Sequence, residues 1–98
     1  MYIRLGFLRF PNQVKADAYI AMNKGTWFEK LDKETLNKEQ FLVSTGEGRV
    51  AQFGIYDSEE DFNKTGKELK KLFTEYIKQF DGIIEMQAGK VVAHYKRE

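Results

Sequence analysis

His94 is the only histidine in the 98-residue chain, and there is no cysteine. No other side chain has an unperturbed pKa so close to neutrality. As a general base it could take a proton from a phenolic or enolic substrate; the competing reading is a surface or interface histidine with no chemistry. Trp27, the only tryptophan, stands near Tyr19, Met22 and Phe28. Such a set could line an apolar pocket with one polar handle, or cap the core where a first helix ends. Tyr56 and Tyr76 could offer phenol groups to a ligand or serve as core residues with satisfied hydroxyls. The candidate pocket set is Tyr19, Met22, Trp27, Phe53, Phe73 and Tyr76. One histidine falls short of the three or four ligands that zinc takes. Glu59-Glu60-Asp61 could meet a hard cation but reads as favourable charge at a helix N-terminus. Gly46-x-Gly48 is too short for a phosphate loop. Asp57 and Ser58 are wanted for a helix cap, so no Ser-His-Asp constellation is legible. The expectation is no metal and no cofactor.

Lys and Arg number 16 against 15 Asp and Glu, a formal charge of +1. This balance argues against nucleic acid or an anionic membrane as partner. Without cysteine there is no disulfide, no thiolate nucleophile and no Cys-ligated metal. A hydrophobic content of 42%, with 14% aromatic, suffices for the core of one small domain over residues 1–98. Domains of this size often gain further burial by association. Arg4 and Arg9 interrupt the opening apolar run, which therefore resembles neither a signal peptide nor the ~20 apolar residues of a membrane span. A soluble, cytoplasmic protein is expected.

The elements that must position these residues follow from periodicity. Tyr2–Phe10 alternates and ends at the only proline, a strand. Asn12 is placed to cap a helix carrying Val14, Ala18, Ala21 and Met22, with Gly25 near its end. Trp27, Phe28, Leu31 and Leu36 suggest further helical turns over Thr26–Gln40. Phe41–Ser44, the turn Thr45–Gly48 and Arg49–Tyr56 form a hairpin. Ser58 with Asp61 resembles a capping box, and Thr65 with Glu68 a second one after a break at Thr65-Gly66. Leu69, Leu72, Phe73, Tyr76 and Phe80 then step along one helical face, to an end at Asp81-Gly82 with Gly82 as the terminating residue. Ile83–Met86 is extended, Gly89-Lys90 turns, and Val91–Tyr95 is expected to be the last strand.

The order is β-α-β-β-α-β: an α+β, ferredoxin-like fold with a four-stranded antiparallel sheet and both helices on one face. Ala51, Phe53 and Ile55 are assigned to the helix side. Leu8, Val50, Gln52, Gly54 and Val92 are assigned to the opposite face, where a second copy would cover them. On that assignment Arg4 shares the subunit interface and needs Glu85 or Gln87 of the second copy as partner.

The opening M-Y-I-R-L, the strand ending I-Y-D-S-E-E-D-F and the closing V-V-A-H-Y together resemble the antibiotic biosynthesis monooxygenase domain across nearly the whole chain. Tyr56-Asp57-Ser58-Glu59-Glu60 matches the family's aromatic residue followed by Asp-Ser or Glu-Ser. The stretch Lys38-Glu39-Gln40 departs from the Pro-Gly often found before the second strand. The resemblance implies a dimeric α+β barrel with a cavity between sheet and helices. Family members include cofactor-independent monooxygenases of aromatic polyketides or quinols, haem-degrading enzymes, and proteins without known activity. On the first of these, His94 would be the base and the pocket aromatics the walls, with a small aromatic or quinol-type substrate. The alternative is a non-catalytic homodimeric ligand-binding or structural module. A haem-degrading oxygenase is the third reading; that branch uses an Asn, a Trp and a His in a particular arrangement, in which Asn23, Trp27 and His94 are not placed, and its site is not carried over.

Overall fold

A computed structural model describes residues 1–29 and 36–98, leaving aside the side chains of Lys67 and Glu68. The helical turns expected around Leu31 lie outside the described residues. The order is β1 (Tyr2–Arg9), α1 (Gln13–Met22), a π-helical turn (Asn23–Trp27), β2 (Glu39–Gly46), β3 (Arg49–Tyr56), α2 (Glu59–Gln79) and β4 (Ile83–Lys90). The strands form one sheet in the order β2-β3-β1-β4, with every neighbouring pair antiparallel. This is the expected ferredoxin-like arrangement. No described helix is long and apolar enough to cross a membrane.

Local chemistry starts each helix. Asn12, in extended backbone, accepts from the Lys15 N–H at 2.9 Å. Ser58 accepts from the Asp61 N–H at 3.1 Å, and three acids fill the first turn of α2, where they favour the exposed amides. The β2–β3 turn passes through Gly46, Glu47 and Gly48, all with positive φ. Gly48 is doubly required, because a Cβ there would lie 2.7 Å from the Phe10 carbonyl oxygen.

Leu69, Phe73 and Ile77 of α2 recur every four residues and are buried, as are Ala16, Tyr19 and Trp27 at steps of three and eight. They close on Leu8, Phe10, Val50 and Tyr56 of the sheet side. The two sheet faces are therefore the reverse of the sequence expectation. Val50, Gln52, Gly54 and Tyr56 point at the helices, together with Arg4 and Leu8. Ala51, Phe53 and Ile55 lie on the open face with Ile3, Leu5 and Phe7. Alternation separates two faces without saying which is inner. Here both carry apolar groups, and the polar members Arg4 and Gln52 find partners inside.

Other boundaries differ as well. β4 starts at Ile83 and pairs with β1 over eight residues, through Gly89 and Lys90. Gly89 does not turn, and residues 91–98 follow as a tail outside the sheet, tied back at its start by the Val91 N–H, which donates to the Met1 carbonyl. β2 is longer than expected, from Glu39 to Gly46. Gly25 sits inside the π-helical turn and does not end the helix. Thr65-Gly66 does not break α2, and the Thr65 hydroxyl donates to the Asp61 carbonyl one turn back. α2 ends in a six-residue closure: Gly82 N–H bonds the Ile77 carbonyl and Asp81 N–H that of Lys78. Asp81, and not Gly82, takes the left-handed conformation. Gly82 is needed for space, since a Cβ would lie 2.6 Å from the Phe10 ring.

Candidate functional site

The interior between helices and sheet holds an unusual concentration of polar groups. β1 supplies Arg4, β2 Gln40, β3 Gln52 and Tyr56, and α1 with its π-helical turn Tyr19, Asn23 and Trp27. Arg4 is only 3% exposed. Its Nη1 donates to the Tyr56 hydroxyl and its Nη2 to Gln40 Oε1, each at 2.9 Å. Its guanidinium lies 4.5 Å from the centre of the Phe73 ring, and that ring lies 4.5 Å from Trp27. The ion pairs among the described residues join Lys15 to Asp81, Lys38 to Asp57 and Lys64 to Glu60, all at exposed positions. None involves Arg4. Arg4 is thus a buried cation held by neutral oxygens and an aromatic face. Desolvation lowers its pKa, while the adjacent Tyr56 and Tyr19 oppose the shift.

Tyr19 is fully buried and donates its hydroxyl to Gln52 Oε1. Asn23 Nδ2 in turn donates to the Tyr19 carbonyl at 2.9 Å. Burial pushes the Tyr19 phenol up to about 12, against the pull of Asn23, Arg4 and Gln52. A phenol whose folded pKa lies above its unfolded value contributes stability that is complete below pH ~10 and lost as pH rises towards 12. Unfolding free energy should therefore fall between pH 10 and 12, and Tyr19→Phe should flatten that segment of the profile in chemical denaturation.

Two buried donors, Trp27 Nε1 and Gln40 Nε2, have no hydrogen-bond partner among the described residues. Buried donors are seldom left unmade, because each forfeits about 1–3 kcal/mol. With the Arg4 cation they give the interior a surplus of donors and positive charge. Gly54 makes the arrangement sterically feasible: a Cβ there would lie 2.6 Å from Arg4 Nη2 and 3.0 Å from Gln40 Oε1. Gly54→Ala should displace the guanidinium from Gln40 and cost about 1–3 kcal/mol, read as a lowered thermal midpoint. Gly54, expected on the face that a second copy would cover, is instead approached closely by Arg4.

A cleft of about 500 Å³ opens between α2 and β4, lined by Phe62, Asn63, Gly66, Lys70, Met86, Gln87 and Ala88. Phe62 is its inner wall, packed edge-on against Tyr56 at 5.4 Å. The Tyr56 hydroxyl receives the Arg4 bond. An added Cβ at Gly66 would rest 3.6 Å from the Phe62 ring, so the helix backbone seats that ring closely. From cleft to charge the path is Phe62, Tyr56, Arg4.

Of the sequence candidates, Tyr19, Trp27 and Phe73 meet in this interior. Tyr76 packs edge-on to Trp27 at 5.7 Å, and Met22 packs against the same core. Phe53 lies on the open face, edge-on to Phe7 at 6.4 Å. His94 stands in the exposed tail, so one subunit does not bring it to the pocket aromatics. Asn23 and Trp27 are buried one turn apart, without His94. Sequence alone does not single out Gln40, Gln52 or Asn23 as lining this site, and it places Arg4 at an interface. The available signal was the face they share: Arg4 aligns with Gly54, and Gly6 with Gln52, so polar and small residues coincide where a sheet should be apolar.

No protein-family model matches the sequence, and no curated protein matches it. Solved structures do match. A dimeric ferredoxin-like protein from an uncultured marine organism is 20% identical, with a TM-score of 0.75, over 99% of this chain and 100% of that one. The monooxygenase from the gene ActVA-Orf6 of Streptomyces coelicolor, solved with the ligand nanaomycin D, gives a TM-score of 0.78 at 10% identity, over 99% of this chain and 92% of that one. A Deinococcus radiodurans protein assigned to antibiotic biosynthesis monooxygenases gives 0.76 at 10% identity, over 100% of this chain and 99% of that one. The chain has the ferredoxin-like fold these proteins share, and is in that sense like the antibiotic biosynthesis monooxygenases that its sequence resembles.

Proposed function

We propose that the interior between helices and sheet receives the anionic oxygen of a small aromatic, a phenolate or an enolate, and that the protein promotes its reaction with dioxygen without a cofactor. The observation that carries this reading is Arg4, a buried cation with no carboxylate among the described residues. A bound phenol or enol beside it would ionise more readily, because a nearby positive charge favours the charged form. Trp27 Nε1 and Gln40 Nε2 offer the remaining donors. Entry is from the α2–β4 cleft by rotation of Phe62.

For an anthrone-type substrate, the enolate carbon supplies electrons to dioxygen and a C–O bond forms. The O–O bond then breaks, water leaves and CH₂ becomes C=O. One oxygen atom ends in the product and one in water. The protein's part is to hold the anion, exclude water and stabilise its charge. The substrate proton passes to solvent through the cleft, and His94→Ala should retain oxygen uptake. The structural neighbours support this reading, one being a monooxygenase crystallised with nanaomycin D. The test is oxygen uptake with anthrone and with 1,4-naphthohydroquinone above the uncatalysed rate. Uptake lost in Arg4→Met supports the reading; no uptake above background with either compound contradicts the oxygenase part.

A non-catalytic binding module is the second reading. It is favoured by the mutual packing of Trp27, Phe73 and Tyr76, which fills space a substrate would need. Ligand binding without oxygen uptake selects it. In both readings the protein works as a homodimer through its open sheet faces. The support is the exposure of Phe7, Phe41, Val43 and Ile83 there, an apolar surface that water disfavours, and two neighbours described as dimeric.

A further inference from the structure

Resting on the homodimer reading, in which the two open sheet faces pack together, we propose that Arg9 and Arg49 of each copy meet Glu85 of the other, a pairing that sets the strands of the two sheets crossing near 90°. Arg9 and Arg49 are directly opposed in the β1–β3 register. They share the open face, where like charges opposite each other destabilise a sheet. With Phe7, Ala51, Ile83 and Glu85 they border a recess of about 350 Å³ in that face. Neither arginine, nor Glu85, belongs to an ion pair among the described residues.

The register fixes where these charges lie. Successive rows across the open face read Arg49, Arg9, Ile83; then Val43, Ala51, Phe7, Glu85; then Phe41, Phe53, Leu5, Gln87; then Glu39, Ile55, Ile3, Gly89. The arginines sit at one end of the central strands. Glu85 sits on the edge strand β4, one row inward and flanked by Phe7 and Ile83. A two-fold axis lying between the sheets reflects each position across the axis line. An axis along the strands sets the arginine row over itself, which repels. An axis running diagonally, about 45° to the strands and close to the centre of the face, sets the arginines over Glu85 and keeps Phe7, Ala51, Leu5 and Phe53 in the middle. That axis makes the strands of the two sheets cross at near right angles, one of the two common sheet packings. A tilted axis nearer the perpendicular to the strands would instead bring the arginines to Glu39. Glu39 is at the outer corner and stays hydrated in either arrangement. Glu85 is inside the apolar patch, where covering it unpaired would bury a lone carboxylate. The pairing requirement therefore falls on Glu85.

Sedimentation of three proteins and their mixtures tests this, with circular dichroism to confirm folding. A variant carrying Arg9→Glu and Arg49→Glu, and a second carrying Glu85→Arg, should each dimerise at least 100-fold more weakly than the unaltered chain. An equimolar mixture of the two should form a heterodimer within about tenfold of the unaltered affinity, because both contacts then join opposite charges. Recovery in the mixture also shows that each variant is folded. An unaltered chain that is monomeric at all concentrations removes the homodimer reading itself. A dimeric unaltered chain whose variants stay dimeric, or whose mixture stays monomeric, overturns the Glu85 pairing. Rescue by Glu39→Arg in place of Glu85→Arg overturns the right-angle arrangement.

Discussion

Arg4→Met is expected to weaken binding of an aromatic phenolate or hydroxyquinone anion by about ten- to a hundredfold, while the folded chain keeps or gains thermal stability. The binding loss follows from removing one charge-assisted contact, about 1.5–3 kcal/mol, at 1.4 kcal/mol for each tenfold. The stability effect runs the other way. A buried cation without a carboxylate has lost its hydration for two neutral hydrogen bonds and a ring face. Replacing buried ionic groups by apolar side chains of similar volume is often neutral or stabilising by about 1–4 kcal/mol. Tyr56 and Gln40 each lose a donor in the variant, but each offers an acceptor, and an unfilled acceptor costs little beside a desolvated charge. Calorimetric titration and thermal unfolding of the same sample read both effects. An arginine that serves only the fold would show the reverse pattern, with stability falling and ligand affinity unchanged.

Phe73→Ala is expected to carry the largest stability cost, about 3–5 kcal/mol. Phe73 is 1% exposed and lies between the Arg4 guanidinium and the Trp27 ring, at 4.5 Å from each. Truncation removes the ring contacts of both and leaves a cavity bounded by two helices and a sheet, which cannot collapse independently. For a domain near this size each kcal/mol moves the midpoint by roughly 4–8 °C, so a loss of at least about 12 °C should be seen. Phe73→Leu, which keeps most of the volume, should cost well under half as much. Equal losses for the two variants would show that volume is not what Phe73 provides.

Much of the architecture was legible because short-range chemistry wrote it. The Ser58 and Asn12 caps, the Gly46–Gly48 turn and the four-residue step of Leu69, Phe73 and Ile77 each act within a few residues, and together they imply the β-α-β-β-α-β order. What failed depends on distant partners. Which side of β3 faces inward is decided by α1 and α2, not by β3 itself. The end of β4 is decided by its pairing with β1, which runs past Gly89. Asp81 takes the left-handed turn, while Gly82 lies bare against Phe10 and Ile77, which come from a distant segment and the preceding helix. The interior site was the least legible part. Aromatic residues announced Trp27, Tyr19 and Phe73, but Arg4 reads as an interface charge until Tyr56, Gln40 and Gly54 are seen around it. His94 drew notice by residue type alone, and type carries no position.

The most direct test of the buried cation as an anion-binding centre is a titration with two probes that differ chiefly in charge, 2-hydroxy-1,4-naphthoquinone and 1,4-naphthoquinone. Heat of binding would be followed in parallel with the fluorescence of Trp27, which as the only tryptophan reports on the ring stacked beneath Arg4. The expected result is tighter binding of the hydroxyquinone anion, by tenfold or more, with a change in Trp27 emission, and loss of that preference in Arg4→Met and its partial retention in Arg4→Lys. Equal affinity for the two probes, or a preference that survives Arg4→Met, would contradict it.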